Sequence, residues 1–155
     1  MIRSVWRIVQ NADDADDAFQ EAIATIWRQM DRIRLHRNSR ALVLRICVNA
    51  ACDIVRKKVR RSAREQPLDR CDRLPGDNGD VWAELDSRQR QMQIARAIAQ
   101  LSDSQATAVT MYYLLDCPYG DIVDALDCAE ATARVHVSRG LERLRSLLAH
   151  LSPNL

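Results

Sequence analysis

The chain has 155 residues, nearly half of them apolar, with four glycines, four prolines and few aromatics. That balance supplies a core, and the scarcity of turn and sheet punctuation excludes a collagen-like, low-complexity or loop-rich chain and favours helices. The formal charge of +2 hides an asymmetry, with thirteen Lys/Arg against seven Asp/Glu in residues 1–61 and seven against nine in residues 81–155.

Residues 2–11 (IRSVWRIVQN) read as a short helix with Ile2, Val5, Trp6, Ile8 and Val9 on a broad apolar side. It begins abruptly, as if earlier turns were missing, so a late start or a trimmed first domain is expected. Asp13 or Asp14 caps the next helix, and the run Asp13, Asp14, Asp16, Asp17 suits the positive end of a helix dipole. Ala15, Ala18/Phe19, Ala22/Ile23, Ile26/Trp27, Met30 and Ile33 then recur every three or four residues, the spacing of an amphipathic helix.

Residues 34–40 (RLHRNSR) form a basic connector, and Ser39 or Asn38 caps a third helix that runs to about Arg61. Its apolar side carries Leu42, Val43, Ile46, Cys47, Ala50, Ile54 and Val55. Arg45, Asn49, Cys52, Arg56 and Arg60 fall within about 80° of one another on a second, mainly basic side. Residues 62–80 break the pattern with Pro67, Pro75, Gly76, Asn78 and Gly79, which is linker chemistry and marks a domain boundary.

Periodicity resumes near Val81 with Trp82, Leu85, Met92, Ile94/Ala95, Ile98 and Leu101. Ser102 or Ser104 caps a helix containing Ala108, Val109, Met111, Tyr112 and Leu115. Pro118 opens a short helix, where its missing N–H costs nothing. A tight turn at Asp127–Cys128–Ala129 leads into a last helix from Glu130 to about His150. The expected fold is all-α: two small helical domains, 1–61 and 81–155, joined by a flexible linker over 62–80. The C-terminal domain is expected to be a helix-turn-helix, with Ile122, Ala125, Leu126, Val135 and Leu141 locking the pair.

Three constellations carry chemistry. The last helix bears Arg134, His136, Arg139, Arg143 and Arg145; a helix fits the major groove, and Arg forks onto guanine or clamps phosphate. Asp17, Gln20 and Glu21 share a helix face and, with Asp14, make an acidic patch suited to a basic protein surface. The segment from Arg34 to Arg61 can track phosphates, with Asn49 able to read a base edge. Taken singly, each is also readable as a solvated polar face.

Their order and spacing are more specific. Residues 14–27 (DADDAFQEAIATIW), 39–61 (SRALVLRICVNAACDIVRKKVRR) and 101–145 (LSDSQATAVTMYYLLDCPYGDIVDALDCAEATARVHVSRGLERLR) resemble three successive segments of extracytoplasmic-function sigma factors of the sigma-70 family. The resemblance implies a transcription initiation factor that binds RNA polymerase core and directs it to promoter DNA, held silent by an anti-sigma factor. It implies a region 2-like domain over 1–61 and a region 4-like domain over 81–155. Asp14, Asp17, Gln20 and Glu21 would face the polymerase. Arg45, Asn49, Arg56, Lys57 and Arg60 would handle the minus-ten element, and the connector Leu35–Ser39 would capture a flipped base. Thr132, Arg134, His136, Ser138 and Arg139 would read the minus-thirty-five element. The chain departs from the family pattern at Leu42 (usually Trp), Val43 (usually Leu), Gly120 (usually an acid), Asp127 (usually Gly), Val135 (often Ser) and His136 (often Arg). The last two changes imply a promoter preference other than the usual one and weaker phosphate binding.

Five cysteines, an odd number without CxxC or zinc-finger spacing, read as idle thiols in a reducing cytosol. No apolar run is long enough to span a membrane, and Arg3 and Arg7 interrupt any signal peptide, so a cytoplasmic protein without membrane insertion is expected. No phosphate-binding glycine loop, metal cluster or nucleophile–base pair is spaced for catalysis, so no enzyme activity, catalytic residue, metal site or cofactor is expected. Two alternatives to the initiation factor stay open: a helix-turn-helix regulator that does not dock on polymerase, and a sigma mimic that titrates an anti-sigma protein.

Overall fold

The computed structural model describes residues 8–9, 12–64 and 79–149, and every regular element among them is helical. In chain order they are α1 (Ala12–Arg28), α2 (Met30–Leu35), α3 (Ser39–Arg64), α4 (Gly79–Ala99), α5 (Asp103–Val109), a π-turn (Thr110–Leu114), α6 (Tyr119–Leu126) and α7 (Glu130–Leu148). Of the expected helix over 2–11, Ile8 and Val9 are seen, helical and buried; its other residues, the stretch 65–78 with Cys71, and His150 lie outside the described residues.

Helix α1 starts one residue before Asp13, so Asp13 and Asp14 occupy its first turn, where carboxylates meet the positive dipole end, and Arg28 closes its last turn. The single amphipathic helix expected from Ala15 to Ile33 is broken at Gln29, so Met30 and Ile33 lie on α2, and the apolar stripe of α1 is itself divided. Ala15, Ala18 and Ala22 are buried, and their small side chains allow close approach to α3. Phe19, Ile23 and Trp27, four residues apart, are exposed, with Trp27 77% accessible.

Helix α3 is capped by Asn38: its Oδ1 accepts the Ala41 N–H at 3.1 Å, while the Ser39 hydroxyl donates back to the Ile33 carbonyl at 2.9 Å. Leu42, Ile46, Cys47 and Ala50 share a core with Ile8, Val9, Ala18, Ala22 and Ile33. The helix also has a second apolar stripe. Ala41, Leu44, Val48 and Ala51, at helical spacing, are buried against the C-terminal half. Val48, Ala51 and Cys52 share a cluster with Ala97, Ile98, Leu101, Ala106, Val109 and Leu144; Ala41 and Leu44 join Met111, Ile122, Ala125 and Val137. The two expected helical units are therefore both present and lie against each other along α3, which contacts α4, α5 and α6.

Helix α5 runs from Ser102, whose backbone is extended but whose side chain makes no cap bond, into the π-turn. There Leu115 N–H reaches the Thr110 carbonyl at 3.1 Å. Pro118 precedes α6 in extended conformation, and Asp127 ends it with φ 51° and ψ 53°. This is the left-handed region, in which a short Asp is tolerated better than most residues. Helix α7 buries Ala133, Val137, Gly140 and Leu144. Ile122 and Ala125 are buried as expected, whereas Val135, expected to lock the helix pair, is 43% exposed. It sits two residues from Ala133 and Val137 and so points away from their stripe. A Cβ on Gly140 would stand 2.5 Å from Val109 Cγ2, so α5 and α7 meet as closely as a glycine permits.

Candidate nucleic-acid interface

The rim of α3 beside its second apolar stripe carries Arg45, Asn49 and Arg56, and each is engaged by the C-terminal half. Arg45 donates to the Ala125 carbonyl at the end of α6 at 3.0 Å. Asn49 Oδ1 accepts the hydroxyl of fully buried Thr107 at 3.1 Å. Arg56 donates through Nε to the Ala99 carbonyl at 2.7 Å and through a terminal nitrogen to the Leu101 carbonyl at 2.9 Å. Its other terminal nitrogen pairs with Asp53 at 2.8 Å and Asp103 at 2.9 Å. Partial burial works against the Arg56 charge, but its bonds to the two aspartates carry its pKa above the usual arginine value. Cys52, sealed in the same seam, has its thiol pushed up to about 12 by burial. It is inert by that criterion, because the thiolate is the reactive form.

The connector ahead of α3 meets α6 in the same way. Asn38, besides capping α3, donates through Nδ2 to Asp121 at 2.9 Å and to Asp124 at 3.0 Å. Arg37 pairs with Asp124 as well. Among the expected minus-ten residues, Lys57 and Arg60 are exposed. Lys57 turns to the other side of α3, where it binds Glu21 at 2.6 Å, and that hydrogen bond raises its pKa. Lys58 binds Asp14 at 2.5 Å. Two of the four expected polymerase-facing groups thus tie α1 to α3, while Asp17 and Gln20 stay exposed on α1. Next to them Gln20, Ile23, Ala24, Trp27 and Arg28 line a shallow, mostly apolar depression.

Helices α6 and α7, joined by the turn at Asp127–Ala129, form the helix-turn-helix. Thr132, Arg134, Ser138 and Arg139 are exposed on α7 and His136 is partly exposed. Arg134 is held in place: it binds Glu130 at 2.7 Å and lies over the Tyr119 ring at 4.3 Å from its centre. The structure thus gathers Thr132, Arg134, Ser138 and Arg139 on one open helix and places Arg45, Asn49 and Arg56 in a closed seam. Arg37, from the connector, completes that seam with Asp121, Asp124 and Thr107, three residues that sequence reasoning did not assign to a site. The basic 1–61 and acidic 81–155 charge balance was the one hint of it.

The model of sigma-70 region 2 matches residues 1–61, and that of sigma-70 region 4 matches residues 91–144. The chain belongs to the sigma-70 family. Within it, this sigma factor is similar to a member of the extracytoplasmic-function group. It is 24% identical over 152 residues to the ECF RNA polymerase sigma factor SigW of Bacillus subtilis (strain 168), across 94% of this chain and 81% of that one. Its fold matches the sigma factor RpoE, solved in complex with the anti-sigma factor NepR from Bartonella quintana. That match has a TM-score of 0.50 and 22% identity, covering 96% of this chain and 89% of the other. The matched blocks place α1 and α3 of this sigma factor in region 2 and the α6–α7 pair in region 4. Among the described residues no helix is long and apolar enough to cross a membrane, and no group of His, Cys, Asp and Glu is placed to hold a metal ion.

Proposed function

We propose that this sigma factor binds RNA polymerase core and directs it to specific promoters, with a non-catalytic role in the cytoplasm. Residues 1–61 act as the unit that docks on polymerase and engages the minus-ten element, 62–80 as the linker, and 81–155 as the unit that reads the minus-thirty-five element. The observation that carries this reading is the pairing of two open surfaces at opposite ends of the chain. One is the α1 face, where Asp17, Gln20, Ile23 and Trp27 are presented together. The other is the α7 face, where Thr132, Arg134, Ser138 and Arg139 project from a helix-turn-helix. The first combines acids with an apolar depression, which suits a protein partner with a basic, apolar surface. The second has the shape and charge of a major-groove reader.

Asp14 and Glu21 hold α1 in register against α3 and complete the polymerase-facing acids. Arg45, Asn49, Arg56, Lys57 and Arg60 supply the minus-ten contacts, and His136 sits at the edge of the minus-thirty-five face. An anti-sigma factor is a further partner, in keeping with the RpoE complex. Run-off transcription with purified core polymerase on a promoter library tests the proposal. A defined subset of promoters should fire only when this chain is added. A helix-turn-helix regulator or a sigma mimic would yield no chain-dependent transcript from core.

A further inference from the structure

We infer that Val135 reads the methyl group of a thymine in the minus-thirty-five element, which makes it a specificity-determining residue of α7. The inference rests on the promoter-directing reading above and deepens it by naming a base in the element. Its ground is the direction in which Val135 points. At about 100° per residue, the buried stripe of Ala133, Val137, Gly140 and Leu144 spans about 60° of the α7 surface. Val135 projects about 170° from the middle of that stripe, directly away from the core. The side of α7 able to enter a groove is the one turned away from α5 and α6, against which the helix packs. Val135 therefore stands at the centre of the reading face. Thr132 and Arg139 flank it on one side, Ser138 and Arg134 on the other, and all four are exposed. Arg134 is held to its flank by Glu130 and the Tyr119 ring. Ala131, one turn before Val135 and also exposed, extends the apolar centre without adding a polar group.

A side chain at this position meets base edges on the floor of the groove, and valine brings neither a donor nor an acceptor to them. Over guanine, adenine or cytosine it would displace water from N7, O6, N6 or N4 without replacing the lost hydrogen bond, which is penalised. The C5 methyl of thymine is the apolar group that the major groove displays, so thymine is the base a central valine favours. The side chain is also prepared for the contact. Valine has one side-chain torsion, and in a helix a single setting of it dominates, so its two methyls are in place before DNA arrives. The polar neighbours supply phosphate and guanine contacts, and Val135 supplies a discrimination they do not.

The test uses holoenzyme assembled from core polymerase and the full chain, on a promoter library randomised across the minus-thirty-five element. Wild type should enrich thymine at one position on one strand, and Val135→Ser should lose that enrichment while keeping the preferences elsewhere. The best promoter is then remade with deoxyuridine in place of each thymine of the element in turn, which removes the methyl and leaves base pairing intact. For wild type, one replacement should weaken holoenzyme binding in a gel shift about fourfold, the weight of one buried methyl-sized group. For Val135→Ser the same replacement should change nothing, and Val135→Ile, which keeps the apolar contact, should still respond to it. Thermal melting by circular dichroism should find both variants as stable as wild type, since the site is on the surface. Wild type indifferent to deoxyuridine at every position, a Val135→Ser variant that responds as wild type does, or a loss spread evenly over all sequences would each overturn the proposal. No promoter-specific transcript from wild-type holoenzyme would instead overturn the promoter-directing reading, and the assignment of Val135 with it.

Discussion

Thr107, fully buried on α5, donates its hydroxyl to Asn49 on α3 at 3.1 Å, joining the helix expected to handle melted DNA to the C-terminal half of the chain. A buried hydroxyl that loses its acceptor is penalised for desolvation, by about 1–3 kcal/mol. Asn49→Ala should lower the thermal midpoint accordingly, whereas Asn49→Asp, which keeps an acceptor oxygen, should lower it less. Equal losses in the two variants by calorimetry would show that the bond contributes nothing of its own.

Gly140 gives a second stability prediction. A methyl there would meet Val109 Cγ2 at 2.5 Å and the Gln105 carbonyl at 3.4 Å, so α5 and α7 would have to separate. Overpacking of this kind costs about 1–3 kcal/mol. Gly140→Ala should be destabilised by that amount in urea unfolding, and Val109→Ala in the same chain should recover part of the loss. A Gly140→Ala variant as stable as wild type would mean that the helices yield without cost.

Much of this architecture was legible from spacing alone. The three- and four-residue rhythm of α3, the Pro118 start of α6 and the turn at Asp127 appear where the sequence places them, whereas the repeat from Ala15 to Ile33 is broken at Gln29 into α1 and α2. The π-turn did not, because one extra residue between Thr110 and Leu115 leaves a nearly helical pattern. Phe19, Ile23 and Trp27 read as core because apolar periodicity does not distinguish a buried stripe from one reserved for a partner. The seam on α3 was hidden for a different reason. Ala41, Leu44, Val48 and Ala51 are small or modest side chains beside a conspicuous basic rim, and Arg37 and Asp124 are far apart in sequence. Segmental charge, basic in 1–61 and acidic in 81–155, points as readily to a polyanion partner as to contact between the halves, and does not say which helices meet.

The α1 face carries a prediction about partner binding. Asp17 and Gln20 are exposed beside the Ile23–Trp27 depression, and Glu21 is held next to them by Lys57. Replacing Asp17, Gln20 and Glu21 with Ala should leave helicity intact and weaken capture of core polymerase at least tenfold, the effect of losing about 1.4 kcal/mol. Undiminished pull-down of core by the triple variant would remove this face from the docking site.

Arg134 is positioned before DNA arrives, with Glu130 and the Tyr119 ring holding its guanidinium at the N-terminal part of α7. If it forks onto a guanine, Arg134→Ala should cost about 1–3 kcal/mol at one promoter position and relax the preference there. Transcription from a library randomised across the minus-thirty-five element reads this directly. A uniform loss across all sequences would reduce Arg134 to a phosphate contact.

A gel-shift titration on one responsive promoter fragment, with this chain alone, core polymerase alone, and both together, bears most directly on how the molecule works. With its α3 rim covered and its C-terminal half net acidic, the chain alone should give no discrete complex at physiological salt, and a promoter-specific complex should appear only with both proteins present. A tight, sequence-specific complex formed by the chain alone would contradict the sigma-factor mechanism.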